Sequence, residues 1–418
     1  MTEPTETIEA QLDAAAETIV NRRRFLGKAG LGVAGFAASA SIMAACGSSG
    51  DSASDDGGDG SGGDGGDDGA ADGETVDLVQ DSDLPEIEWE MATSWPLSLD
   101  TIFGGAVIFA DTLSELTAGR FKVNPRAAGE LAGGLEVLNA VVSGGADAGH
   151  TASYYYVGQN TAMQFGTAVP FGLTSRQQNA WLYEGGGEQL LNDFYAEEFG
   201  IISFAAGNTG CQMGGWFGKE INTVADLNGL TMRIPGLAGK VLNNLGGEQI
   251  SIPGGEIITS IETGAIDAAE FVGPYDDVNL GLDQLGSDVF YYYPGWWEPG
   301  SALDVQFPLD KWNDLPTVYQ AAVKAAAKAA NLGMMARYDN LNPQSLKQIQ
   351  AAGVTILPFS EEIMDSFQEE TESVLDAEAA TNPDFASILG PWRQYRDDIQ
   401  AWHSLAEAEY MVRTSIGR

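Results

Sequence analysis

The stretch Ile87-Glu88-Trp89-Glu90-Met91-Ala92-Thr93-Ser94-Trp95 alternates apolar and polar side chains and reads as a β-strand. Its downstream neighbours decide the fold. Residues 101–117 carry a helical pattern, Ala118-Gly119 interrupts it, and 120–126 returns to strand character. A short helix over 135–143 ends at Gly144-Gly145, and 146–152 is a third strand. Strand and helix alternating at this spacing predict a mostly parallel sheet covered by helices. The middle continues in the same style, with strands at 200–206, 212–217, 231–234, 248–252 and 268–272, a turn at 226–230 and a short helix at 255–263. The end differs. Residues 315–350 and 361–382 are helical, the first broken or kinked near Pro343, with a late strand at 354–357 between them. One or two more helices fill 383–415, where Trp392, Tyr395, Ile399 and Trp402 recur at spacings of three or four. The expected fold is α/β: two lobes followed by a long helical C-terminus.

Upstream of that body the chain reads as an export signal and a leash. Arg22-Arg23-Arg24-Phe25-Leu26 and Lys28 precede a weakly apolar Ala/Gly stretch at 29–45, the arrangement of a twin-arginine signal, which exports folded proteins. The stretch is shorter than the roughly 20 residues that span a bilayer. It ends in Met43-Ala44-Ala45-Cys46-Gly47, which resembles a lipobox, with Cys46 the lipidated first residue of the mature protein. Two or more acyl chains make a stable anchor where one is marginal. Residues 47–75 are almost entirely Gly, Asp, Ser and Ala and cannot bury apolar surface. About 40 such residues reach roughly 35 Å as a flexible chain.

Charge narrows the function. The 418 residues hold 60 Asp and Glu against 20 Lys and Arg, a net of −40. Residues 47–86 contribute 13 acids and no base and residues 1–46 a net of −1, which leaves −26 on 87–418. Such a body holds neither a nucleic-acid backbone nor an anionic membrane face by general electrostatics. An anionic solute needs one local site against this field, and the scarcity of lysine points to saline surroundings. Two cysteines, Cys46 and Cys211, and two histidines, His150 and His403, exclude a disulfide framework and argue against a Cys/His zinc site. No phosphate loop, nucleophile elbow or H-E-x-x-H motif is present, and the single G-x-G-x-x-G match, from Gly30, lies in the signal. His150 and His403 have no evident catalytic partner, and Cys211 reads as a buried inert thiol.

Four clusters carry the candidate site: Tyr154-Tyr155-Tyr156 after a strand; 211–217; Met232-Arg233-Ile234-Pro235-Gly236; and 268–277, with 291–298 beyond it. Arg233 is one of twelve arginines and lies in an apolar run, so it needs an anionic partner. That partner is either a structural acid or a ligand carboxylate, whose two oxygens match a guanidinium. Glu270 ends an apolar stretch and is therefore paired, protonated, metal-bound or turned to the surface. Gln212 offers a neutral oxygen; a carboxylate, an amide and a carbonyl together suit Na⁺ or Ca²⁺. The aromatic runs, Trp296-Trp297-Glu298 among them, are either core or cleft walls.

At these strings the body resembles the solute-binding proteins of tripartite ATP-independent periplasmic (TRAP) transporters, the DctP family, over nearly all of 87–418. The family pattern is met by Gly129-Glu130-Leu131, by Asp226-Leu227-Asn228-Gly229-Leu230 ahead of Met232-Arg233, and by Gly264-Ala265-Ile266-Asp267-Ala268 ahead of Glu270. Gln212-Met213-Gly214-Gly215-Trp216-Phe217 and Tyr292-Tyr293-Pro294-Gly295-Trp296-Trp297-Glu298 are similar to the branch that binds 2-oxo acids or lactate. The resemblance implies a periplasmic-binding-protein-like, type II-like fold that closes on its solute by hinge bending, and capture in place of catalysis. It implies Arg233 as the carboxylate clamp. It further implies a bridging Na⁺ or Ca²⁺ on Gln212, Glu270 and the backbone carbonyl of Phe271, with Tyr154, Tyr155, Tyr156 and Glu298 lining the pocket. Partners would be a small carboxylate, a membrane permease and, in a homodimer, a second copy, with no nucleic acid. The chain then divides into a signal (1–45), the lipidated cysteine and tether (46–86), lobe I (87–207), lobe II (208–300) and a helical segment (301–418) that returns to lobe I and packs across both. A ligand of another class, such as a dicarboxylate or an amino acid, a secreted metal-dependent enzyme, and an adhesin or sensor are the alternatives.

Overall fold

A computed structural model describes residues 84–286 and 288–415. The signal, Cys46 and the tether up to residue 83 lie outside the described residues. Strand β1 (Ile87–Thr93) pairs in parallel with β2 (Phe121–Arg126) on one side and β3 (Ala148–Thr151) on the other. The helix Ile102–Leu116 makes the first crossover and Val137–Val142 lies in the second. This is the parallel start expected from 87–152.

The sheet does not continue in parallel. β4 (Ile201–Asn208) forms its far edge, and between β3 and β4 runs a strand, antiparallel to both, that comes from much later in the chain, at Ala302–Pro308. The segment expected to be helical from residue 301 onward therefore opens as the next-to-last strand of the first sheet. Its alternation of Leu303, Val305 and Phe307 with Asp304 and Gln306 is strand periodicity.

The second sheet is built mostly from the chain between β4 and that late strand. It contains β5 (Gly215–Phe217), β6 (Thr231–Arg233), β7 (Glu248–Ile250), β8 (Ala268–Ala269) and β9 (Phe290–Tyr293). With β10 assigned to Ala302–Pro308 and β11 to Thr355–Pro358, its order is β11-β9-β5-β8-β6-β7. β5 runs antiparallel to both neighbours, so this sheet too is mixed. The chain passes from one sheet to the other at 209–214, at 294–301 and at the end of the long helix.

That helix, Thr317–Ala351, runs unbroken through Pro343, against the expectation of a break. Proline removes one backbone hydrogen bond. Here the helix is held along its length, by the helix Ile102–Leu116, β4 and the helix Pro274–Leu280. Tyr319, Val323, Ala326 and Ala330 pack on Phe109, Phe121 and Phe307 under the first sheet. A second apolar cluster draws Trp95, Tyr154 and Leu303 together with Trp216, Phe271 and Tyr291, and so joins residues of both sheets. Of the described residues, 84–405 belong to one compact unit and the short helix Glu409–Ser415 to a separate one. No described helix is long and apolar enough to cross a membrane.

Candidate functional site

β6 and β8 are parallel neighbours, with Arg233 opposite Ala269. Their carboxyl ends therefore finish side by side, the position where open α/β sheets hold ligands. Arg233 and Glu270 emerge there with relative exposures of 1% and 0%. One guanidinium nitrogen, Nη1, donates to Glu270 Oε1 and to the Glu270 carbonyl at 3.0 Å, and Nε donates to the Ile252 carbonyl at 3.2 Å. The Arg233 carbon Cζ lies 5.6 Å from the centre of the Phe271 ring. Burial disfavours the charged guanidinium, but Glu270 first, then Tyr155, Tyr154 and Glu298, hold it charged. Burial likewise pushes the Glu270 carboxyl up, against Arg233. A neutral Glu270 would leave a buried arginine uncompensated, so the pair is ionic. The chain leaves β6 by a left-handed Gly236, where a Cβ would lie 2.6 Å from both Gln164 Oε1 and the Tyr154 ring. Gln164 Oε1 accepts from Leu237 N at 2.8 Å, which seats this turn beneath Tyr154.

Gln212 and Glu298 sit on two of the crossings between sheets. Gln212 N donates to the Glu298 carbonyl at 3.2 Å, Gly295 N to the Gln212 carbonyl at 2.9 Å, and Thr209 N to the Ser301 carbonyl at 3.1 Å. The Gln212 amide nitrogen donates to Thr209 Oγ1 at 3.2 Å and to Glu298 Oε2. Ser301 Oγ donates to the same Glu298 oxygen. Desolvation moves the Glu298 carboxyl upward, opposed by its bonds from Ser301, Tyr154 and Gln212 and by the charge of Arg233.

Aromatic side chains close the site. Tyr154 and Tyr155 stack at 4.9 Å, and Trp95 meets Tyr155 at 6.0 Å. Burial raises both phenols, Tyr155 to about 12, so they act as neutral donors. The Trp95 indole N–H donates to His150 Nδ1 at 2.8 Å, and His150 Nε2 donates to the Ala206 carbonyl at 3.2 Å. Burial lowers His150 to about 4, which keeps it neutral. His150 thus fixes a wall of the pocket from behind. Between these groups lies a cavity of about 10 Å³, lined among others by Trp95, Tyr154, Thr209, Gln212, Arg233 and Phe271. That is room for about one water.

Arg233, Gln212, Glu298, Tyr154, Tyr155 and Phe271 all face this one cavity, and Glu270 stands against Arg233. Tyr156 does not join them. It lies in the 3₁₀ turn Ser153–Tyr156, where successive side chains point about 120° apart. Its hydroxyl is turned to Leu138 N at 3.0 Å and Thr151 Oγ1 at 2.9 Å. Trp296 and Trp297 are core, the former stacked on Phe367 and Phe171. Asp276 and Asp277 are bolts: Tyr338 of the long helix donates to Asp276, and Trp216 and Tyr291 donate to Asp277 at 2.9 and 2.6 Å. Cys211 is exposed, not buried, although desolvation still keeps its thiol pKa up. Trp95, Thr209 and Leu303 line the cavity without having been singled out from sequence. Trp95 alone carried a signal, as the large apolar residue ending the first strand.

The donor set can be tested against a cation. Gln212 Oε1 and Glu270 Oε2 are both buried side-chain oxygens without a hydrogen-bond partner. Gln212 lines the cavity, and Glu270 stands behind it against Arg233; an amide and a carboxylate oxygen left without donors are the kind of groups a hard cation takes. Among the described residues no group of three or more His, Cys, Asp and Glu side chains gathers as a transition metal would ask.

The family model of DctP, the bacterial extracellular solute-binding protein family 7, matches residues 91–382. The chain belongs to this family. This DctP protein is a TRAP solute-binding protein with the two-lobed α/β fold. It is 49% identical over 327 residues, 78% of its length and 89% of the relative's, to the monocarboxylate 2-oxoacid-binding periplasmic protein of Nostoc sp.. It is similar to a TRAP solute-binding protein from Bordetella bronchiseptica, at 40% identity over 79% of this chain and 97% of that one, with a TM-score of 0.77. That protein is a mixed-occupancy dimer, with copurified calcium and picolinate in one active site and the other apo. A relative from Pseudoalteromonas atlantica, 36% identical over 78% of this chain and 98% of that one (TM-score 0.74), holds sodium and pyruvate.

Proposed function

We propose that this DctP protein captures a small monocarboxylate, either a 2-oxo acid such as pyruvate or the 2-hydroxy acid lactate, and delivers it to the membrane permease of a TRAP transporter. The observation that carries the reading is the pair of orphaned buried oxygens, Gln212 Oε1 and Glu270 Oε2, in the site that holds a buried Arg233. A bound Na⁺ or Ca²⁺ supplies positive charge to a carboxylate and to the neighbouring 2-oxo or hydroxyl oxygen. Gln212, Glu270 and the Phe271 carbonyl would hold it. Arg233 would turn its guanidinium fork from Glu270 to the ligand carboxylate. Tyr154 and Tyr155 would donate to the ligand's oxygens, and Trp95 and Phe271 would exclude water. The cavity accepts a ligand only if it widens, and movement at the crossings 209–214 and 294–301 would part the lobes and close them again. The work is binding, and no residue is assigned a catalytic step.

We also propose export by the twin-arginine route and anchoring at the outer face of the cell membrane through Cys46, from the signal and lipobox. A Cys46→Ser variant recovered in the soluble fraction supports this; one that stays with the membrane refutes it. Pairing of two copies through the C-terminal helices is proposed from the exposed Trp402 and Leu405 and from the dimeric Bordetella relative.

Calorimetric titration of refolded, ligand-stripped protein with pyruvate, longer 2-oxo acids, lactate and succinate, with and without Na⁺ or Ca²⁺, tests the main reading. Cation-dependent binding of a monocarboxylate is the expected result. Binding of succinate alone, or of none of these, overturns it.

A further inference from the structure

The Gln212 side chain has two ends, and only one of them can ligate a cation. The structure fixes which end that is. Its nitrogen has two acceptors. One is the Glu298 carboxylate. The other is Thr209 Oγ1, at 3.2 Å, whose own hydrogen is committed to the Gly210 carbonyl at 3.0 Å. Neither partner serves the amide oxygen: the Thr209 hydrogen goes to Gly210, and the Glu298 oxygen that faces the amide already accepts from Ser301 Oγ. A flipped amide would set its oxygen against a carboxylate and a committed hydroxyl, and would aim two N–H donors at the place where Oε1 now stands unpartnered. Glu298 is itself fixed, by Ser301 Oγ on the same carboxylate oxygen and by its carbonyl on Gln212 N. The parts of this lock, Thr209, Gln212, Glu298 and Ser301, lie on the two crossings between the sheets.

We infer that Glu298 and Thr209 are positioning residues that hold the Gln212 amide with its oxygen toward the cation. The inference rests on the cation site of the proposed function and adds what orients it. Its requirement is for an acceptor at position 298, not for a negative charge there. Outer-sphere partners of this kind change metal affinity by about 10–100-fold when lost.

The experiment measures the Ca²⁺ and Na⁺ concentrations that half-restore pyruvate binding to stripped full-length protein. Glu298→Ala is expected to raise that concentration about 10–100-fold. Glu298→Gln keeps a carbonyl acceptor for the amide and stays within about threefold, a difference under 1 kcal/mol. Thr209→Val removes the second acceptor at constant shape, shifts the cation requirement in the same direction by several-fold, and decides the matter if Glu298→Ala does not fold. Equal losses in Glu298→Ala and Glu298→Gln would make charge the role and overturn the lock. An unchanged cation requirement in Glu298→Ala and Thr209→Val overturns it as well. Pyruvate binding by wild type without any cation dependence overturns the cation site itself, and is told apart from the other outcomes by the wild-type titration alone.

Discussion

Replacing Arg233 by methionine keeps an unbranched side chain and removes the guanidinium. In the folded protein that leaves Glu270, with 0% relative exposure, without the donor on its Oε1. Breaking a buried ion pair from one side costs about 3–5 kcal/mol, because the remaining charge is uncompensated. The Ile252 and Glu270 carbonyls also lose donors that sit at 3.2 and 3.0 Å. Arg233→Met should therefore melt well below wild type. Adding Glu270→Gln removes the stranded charge and should recover most of the loss, since replacing both partners of a buried pair is often neutral. Binding separates from stability in the same pair of variants. Two charge-assisted hydrogen bonds to a carboxylate are worth about 1.5–3 kcal/mol each, so loss of the fork should weaken affinity roughly 10²–10⁴-fold. The double variant recovers its melting temperature but not its affinity. Calorimetry at saturating cation and thermal melting of the stripped protein read the two quantities. An Arg233→Met variant as stable as wild type would show that the pair does not hold Glu270. One that binds pyruvate within about threefold would remove Arg233 as the carboxylate clamp.

Asp304 is buried on the interior strand β10 beside Ser153, and burial raises its carboxyl to about 7. The folded state keeps a proton that the unfolded chain loses near pH 4, so this contribution is full below about pH 4 and is lost as pH rises toward 7. It amounts to at most on the order of 4 kcal/mol. Urea unfolding from pH 4 to 8 should show a slope that Asp304→Asn flattens, and parallel profiles for the two proteins contradict it. The charge of −40 predicts that melting temperature rises with salt for choline and sodium chlorides alike. Sodium should add a further increment that saturates at the cation site; identical curves with bound pyruvate present count against a sodium site.

The parallel start of the first sheet was legible because β1, β2 and β3 succeed one another with helices between them, and hydrophobic period is a local signal. β10 was harder to place because its partners are more than 90 residues upstream, although Leu303, Val305 and Phe307 do alternate with polar residues. Both of its faces are buried, and Asp304 and Gln306 sit inside a polar network, so alternation there does not mean one wet face. At the site, Arg233 and Glu270 were readable as charges in apolar runs. Their partnership with each other was not, since it depends on the pairing of β6 with β8. His150 meets the site only through Trp95, and Thr209 lines it while accepting from Gln212, and no residue type announces either. Tyr156 separates from Tyr154 and Tyr155 through the period of three of its turn, which a run of identical letters conceals.

The body's acidity and the site's chemistry have to be reconciled at short range. A net −26 on 87–418 repels a monocarboxylate at distance, but at physiological ionic strength that repulsion decays over about 8 Å. Inside the cavity the balance is set by a few groups. Arg233 and Glu270 cancel one another, and Glu298 adds at most one further negative charge. A carboxylate entering alone would have to take Arg233 from Glu270 and leave that acid uncompensated at full burial. A carboxylate entering with a cation does not. On the proposed reading sodium would replace the arginine's charge at Glu270 while the ligand replaced the glutamate at Arg233, and the buried sum would stay where it was; calcium would raise it by one, against the acid Glu298. On the proposed function the ion pair would stand in the site as a stored match for a cation and a carboxylate, and the two would bind with positive coupling.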